Sequence, residues 1–166
     1  MRAFKTLLLL LSLGCFLNQA HAESSSKPDY HFDELKSVSS IRASDVNGWG
    51  RINDQVLVTG RTASRKYILV LARPDHDLAF STALGVTSNA GRVAVKFDEV
   101  YAGNSAIRVG NRIMMIYEVK GSAAMKQARA LFELRDCESQ KDADCSSFEK
   151  TVEDTTVPAP ESKAQR

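Results

Sequence analysis

Lys66 to Ala72 reads Lys-Tyr-Ile-Leu-Val-Leu-Ala, with large apolar residues at every position from Tyr67 to Leu71. A strand sends successive side chains to opposite faces, so this run is apolar on both faces and belongs at the centre of a sheet. Arg112 to Val119, reading Arg-Ile-Met-Met-Ile-Tyr-Glu-Val, predicts a second buried strand. Met114 and Met115 alternate across it, which fits packing better than a copper site. Gln55 to Thr59 is a β-branched run, and the Gly60 to Arg65 connection is short enough for a hairpin. Gly91 to Val100 alternates, with Val93, Val95 and Phe97 on one face and Arg92, Ala94 and Lys96 on the other. Ile41 to Ile52 predicts one more strand, broken at Gly48-Trp49-Gly50, while Leu78 to Val86 is ambiguous.

One segment has a different period. Ser122 to Leu134 is rich in helix formers, and Met125, Ala128, Leu131 and Phe132 form one stripe, with Ser122 as the expected N-cap after Gly121. The fold class is therefore mainly β (α+β): a small antiparallel sheet or partly open barrel of five or six strands with one C-terminal helix.

The chain has 166 residues, a length that fits one domain. Residues 1–22 read as a signal peptide: Arg2 and Lys5, the apolar run from Leu7 to Leu17, then Ala20-His21-Ala22 before the expected cut at Glu23. A rival reading lipidates Cys15, but Ser12 and Leu13 stand in the reverse of the usual lipobox order. Residues 23–34 are a polar, flexible lead-in, residues 35–137 the β-rich domain, and residues 138–166 a mostly disordered acidic tail. No later segment is long and apolar enough to span a bilayer, so the expected location is periplasmic or secreted. In that compartment Cys137 and Cys145 predict a disulfide.

The balance of 22 basic against 20 acidic residues argues against a dedicated polyanion binder, nucleic acid included. It is unevenly spread: residues 136–166 carry eight acidic and four basic groups. Such a tail is either solvated or folded back on a basic face.

Four sets of residues are candidates for chemistry. Asp75-His76-Asp77 could hold a metal or place His76 as a general base, although adjacent residues converge only in a turn. The plainer reading is an exposed polar turn after Pro74. Arg61, Arg65 and Lys66 cluster at the hairpin tip, with Arg73 a little beyond, and could hold an anionic ligand or lipid headgroup; the plainer reading is a solvated tip that discourages edge pairing. Trp49 lies between two glycines and turns either into the core or towards a groove. Asp54 and Asp98 could pair as acid and base, or simply bond to nearby backbone N–H groups.

Trp49 with Ile52-Asn53-Asp54 and the β run after it, Tyr67 to Leu71, Leu78-Ala79-Phe80, Gly91-Arg92-Val93, Phe97-Asp98-Glu99-Val100 and Ile113 to Tyr117 together carry a resemblance. From Ile41 to Val119 the chain resembles DUF6491, a bacterial family of small secreted proteins of unknown function. The resemblance implies secretion and a compact β-rich fold, and no activity. It also implies a family cysteine pair at positions that here hold Asp75 and Asn111 or its neighbour, so that bridge is absent from this chain.

The functional expectation is a non-enzymatic envelope protein that binds an unknown envelope protein or small ligand, with no cofactor. The alternative is a metal-dependent or hydrolytic enzyme using His76 with Asp75, Asp77 or Asp98.

Overall fold

The computed structural model describes residues 28–103, 109–140 and 143–155. The expected signal peptide and Cys15 lie outside the described residues. Among the described residues nine strands and two α-helices follow in order: β1 (Lys36–Ser37), β2 (Ser40–Arg42), β3 (Trp49–Arg51), β4 (Val56–Thr62), β5 (Arg65–Leu71), β6 (Leu84–Val86), β7 (Arg92–Ala94), β8 (Glu99–Ala102), β9 (Asn111–Lys120), α1 (Ser122–Glu138) and α2 (Ser146–Thr155). The main sheet runs β3–β4–β5–β9–β8–β6, with β1 also paired to β9, while β2 and β7 form a separate pair. The pairings are antiparallel. The mainly β expectation and the central places of β5 and β9 hold.

The doubly apolar strands are central because each face meets its own core. Ile68 and Val70 of β5 join Val56, Tyr117, Phe132 and Tyr30 under α1. Leu69 and Leu71 join Leu57, Ile113 and Ile116 on the other face, beneath Ile41 of β2 and Val93 of β7. A register shift keeps β9 in phase with both. Val70 stands opposite Met115, but Leu71 stands opposite Ile113, so Met114 is an extra residue. Without that bulge Ile113 would share a face with Met115 and Tyr117 rather than with Ile116.

Several local expectations need correction. Gly91 to Val100 is two short strands, not one, because Asp98 folds the chain back. Its carboxylate accepts from the Ala94 N–H at 2.7 Å and the Thr87 hydroxyl at 2.9 Å. Lys96 takes φ 68° in that turn and Phe97 is 86 % exposed rather than part of an apolar face. The chain turns at Gly48, which has φ 68°, and β3 then runs straight through Trp49 and Gly50 where a break was expected. β4 continues past Gly60 to Thr62, so the hairpin turn is tighter than Gly60 to Arg65. Leu78 to Val86 divides into a 3-10 turn (His76–Ala79) and β6. Ser122 opens α1 without capping it through its side chain.

The ends of the domain also differ. Tyr30 and Phe32, in the expected flexible lead-in, are buried against Phe132. Ser146–Thr155, in the expected disordered tail, is the helix α2. The Cys137–Cys145 disulfide is present and ties the last turn of α1 to the residues before α2.

Replacing both cysteines with serine should lower stability by roughly 2–3 kcal/mol, the chain-entropy contribution of so small a loop. The sheet should survive, because the α1 side chains that enter the core, Ala128 and Phe132, precede the bridge. Denaturant unfolding of the double variant checks this; a chain that no longer folds would show that the bridge is a condition of the fold.

Candidate anion-binding cleft

Glu118 of β9 stands directly opposite Tyr67 of β5, so both point to the face carrying β2 and β7. The Glu118 side chain is only 9 % exposed. A carboxylate so placed needs partners. It has three: Lys36 at 2.6 Å, Arg65 at 3.3 Å and Lys120 at 3.9 Å. The Lys36 hydrogen bond, aided by the charges of Lys120 and Arg65, holds its carboxyl below the usual carboxylate range against the opposing effect of desolvation.

Above this carboxylate, between the β2–β7 pair and the β5–β9 part of the sheet, lies a cavity of about 320 Å³ whose walls include Ser40, Arg42, Arg65, Tyr67, Arg92 and Glu118. A second cavity of about 360 Å³ reaches the hairpin turn at Arg61, Ser64 and Lys120. The two share a wall made by Asp45, Arg65 and Tyr67 and so form one cleft. Among the described residues, five basic side chains line it against two carboxylates.

The strand register concentrates that charge. Arg42 stands directly opposite Arg92, and Arg65 opposite Lys120. Like charges in directly opposed positions destabilise a sheet. Glu118 answers the second pair. Arg92 is bonded to the Ser40 hydroxyl through Nε at 3.1 Å and through Nη2. Arg42 has neither an ion pair nor a hydrogen bond to another side chain among the described residues, and the same is true of Arg61.

Of the expected binding residues, Arg61 and Arg65 come together here. Lys66 lines neither cavity; its ammonium donates to the Gly60 carbonyl at 3.1 Å. Trp49 stands opposite Thr59 on β3 and packs, partly buried, against the core on the cleft side of the sheet without lining either cavity. Arg42, Arg92 and Glu118 were missed. Arg42 and Arg92 each flank a core residue of their strand, Ile41 and Val93, but their pairing spans fifty positions and has no local signature.

The Asp75-His76-Asp77 cluster does not converge on His76. Asp75 accepts from the Asp77 N–H at 3.2 Å, closing the turn on itself. His76 instead meets Asp54, Nδ1 to Oδ2 at 2.7 Å, and Arg51 takes the other oxygen of that carboxylate at 2.6 Å. His76 itself is 81 % exposed at the side chain. Among the described residues no group of three or more His, Cys, Asp or Glu side chains could hold a metal ion. His76, Asp54 and Arg51 edge a cavity of about 580 Å³ that Tyr30, Asn53 and Asp136 also line. The Tyr30 hydroxyl accepts from Asn53 at 2.9 Å and donates to Asp136 at 3.2 Å. Burial, reinforced by the Asp136 charge, raises its pKa far above the ordinary phenol value, so it stays protonated. Asp98 lies elsewhere, in its turn, bonded to backbone as one reading of it expected.

The segments around Asp75 and Asn111 are neighbours: the Asn111 amide donates to the Arg73 carbonyl at 2.8 Å, and the Arg73 guanidinium donates to the Gly110 carbonyl at 3.3 Å. Hydrogen bonds join the two segments that the resemblance links by a cysteine pair.

Fold and cleft together define a small two-faced β-sheet domain with a basic, carboxylate-floored cleft on one side and a helix on the other. The chain belongs to DUF6491, a family of unknown function, whose sequence profile matches residues 1–135. No curated protein and no solved structure matches it. No helix among the described residues is long and apolar enough to cross a membrane.

Proposed function

We propose that this chain is an exported, non-enzymatic protein that binds a small anionic ligand in the cleft between β2–β7 and β5–β9. The observation that carries the reading is the opposition of Arg42 to Arg92 beside Arg65 and Lys120. Such an arrangement costs stability in the empty protein and is offset when an anion accepts from the guanidinium groups.

Titration calorimetry with inorganic phosphate at low ionic strength tests it. Binding should weaken as salt is raised, and Arg92→Ala should weaken it about tenfold, the loss expected for one charge-assisted hydrogen bond. Absence of phosphate and sulfate binding at low salt would overturn the proposal. Export has its own test: the mature chain should begin at Glu23, and a lipid-modified Cys15 would exclude that cut.

The Asp54–His76 pair favours a second reading, a hydrolytic enzyme. A carboxylate on Nδ1 fixes the tautomer that leaves Nε2 free to accept a proton. No serine or cysteine is among the described residues lining the adjoining cavity, so this reading takes water as the nucleophile.

A further inference from the structure

The charge in the cleft is not uniform along its length, and its pattern specifies more than a preference for anions. Arg42 lines the first cavity and not the second, and Arg61 lines the second and not the first. Both are exposed and lack side-chain partners among the described residues. The shared wall between them is different. Arg65 is already occupied by Glu118 at 3.3 Å, and Asp45 adds a second carboxylate beside it. The ring of Tyr67 completes that wall. Along the cleft, a basic lobe with Arg42 and Arg92, a neutralised and partly acidic waist, and a second basic lobe with Arg61 and Lys120 follow one another, and Arg42 and Arg61 are the cations without a side-chain partner among the described residues.

A single compact anion satisfies only one end. A chain with negative charge at its centre meets Asp45 at the waist. We propose that the cleft selects a molecule carrying two phosphate-like anions joined by an uncharged spacer, with Arg42 and Arg61 each taking one anion and the spacer crossing Tyr67. This rests on the anion-binding reading of the same cleft and goes beyond it by fixing the number of charges and their division between two lobes. A soluble bisphosphate and a lipid headgroup with two phosphates share this chemistry.

The test uses the full mature chain with fructose 1,6-bisphosphate, fructose 6-phosphate and inorganic tripolyphosphate as probes. The bisphosphate should bind at least about tenfold more tightly than the monophosphate, because the second contact is intramolecular. Arg42→Ala and Arg61→Ala, both at exposed positions and checked for folding by circular dichroism, should each reduce bisphosphate affinity to the monophosphate level. Tripolyphosphate should bind no better than the bisphosphate despite its greater charge, and Asp45→Asn should reverse that order. Equal affinity for the bisphosphate and the monophosphate would overturn the two-anion proposal while leaving the simpler anion reading intact; binding of none of the probes would remove both.

Vesicles then distinguish the source of the ligand. Selective sedimentation with phosphatidylcholine vesicles doped with cardiolipin, over vesicles with the same charge carried by phosphatidylglycerol, would place the two phosphates on a lipid. Sedimentation with neither would place them on a soluble molecule. Equal sedimentation with both would show charge density alone at work and overturn the spacing.

Discussion

Phe132→Ala should lower the unfolding free energy by about 3–5 kcal/mol. Phe132 is fully buried on α1, and three rings surround it: Phe32 at 4.7 Å, Tyr30 at 5.5 Å and Tyr117 at 6.0 Å between centroids. Truncation removes the ring that all three share, and the neighbours are too large and too mutually packed to close the gap. The same change should loosen residues 28–32, whose Tyr30 and Phe32 are held chiefly by this cluster. Chemical denaturation gives the first effect and limited proteolysis ahead of β1 the second. A cost below about 1 kcal/mol would mean that the aromatic cluster is not what closes this face of the sheet.

Insertion of an alanine between Ile113 and Met114 should cost at least about 4 kcal/mol. With the one-residue bulge kept, the alanine takes the place opposite Leu71, and Ile113 passes to the α1 side of the sheet or everything before it is displaced by one position. Either way the insertion breaks the bonds that seat β9 on the Asp98 turn, Ile113 N–H to the Asp98 carbonyl at 2.9 Å and Lys96 N–H to the Ile113 carbonyl at 2.7 Å. Deletion of Met114 instead leaves a regular strand in which Ile113 still faces Leu71, and should cost less than the insertion. Met114→Ala keeps the register and should cost less than about 1.5 kcal/mol, since the side chain is only partly buried. Denaturant unfolding of the three variants checks this; if insertion and substitution prove equally mild, the register has no role in dividing the cores.

What was legible in the residues follows from the range of each interaction. β5 and β9 could be read because an unbroken apolar run has few homes, and α1 because its stripe repeats at the helical period. Phe97 misled because alternation continued past the point where a side chain, Asp98, captured the backbone and turned it. Tyr30 and Phe32 sit among polar neighbours, and the ring that buries them lies a hundred residues further on. In the cleft the same limit divides the residues. Arg61 and Arg65 can be grouped from the sequence because they cluster on one hairpin. Lys66 was grouped with them, although adjacent strand residues face opposite ways. Arg42, Arg92 and Glu118 meet only through pairings that the sequence does not display. The Asp54–His76 contact was missed for the same reason: the eye falls on the two aspartates adjacent to the histidine, while the fold brings in a third from the preceding hairpin.

The main sheet ends at both margins in strands of three residues, Trp49–Arg51 and Leu84–Val86, each with a glycine at its centre. An outer strand is a template on which a further chain can add, and its power as a template grows with its length and its β propensity. Here each margin offers only a few open backbone groups, on segments whose middle residue disfavours the extended state. Growth of this sheet by strand addition, whether from a second copy or from a partly unfolded neighbour, is therefore discouraged at both margins. The apolar centre of the sheet is thus bounded by outer strands too brief to recruit another chain readily.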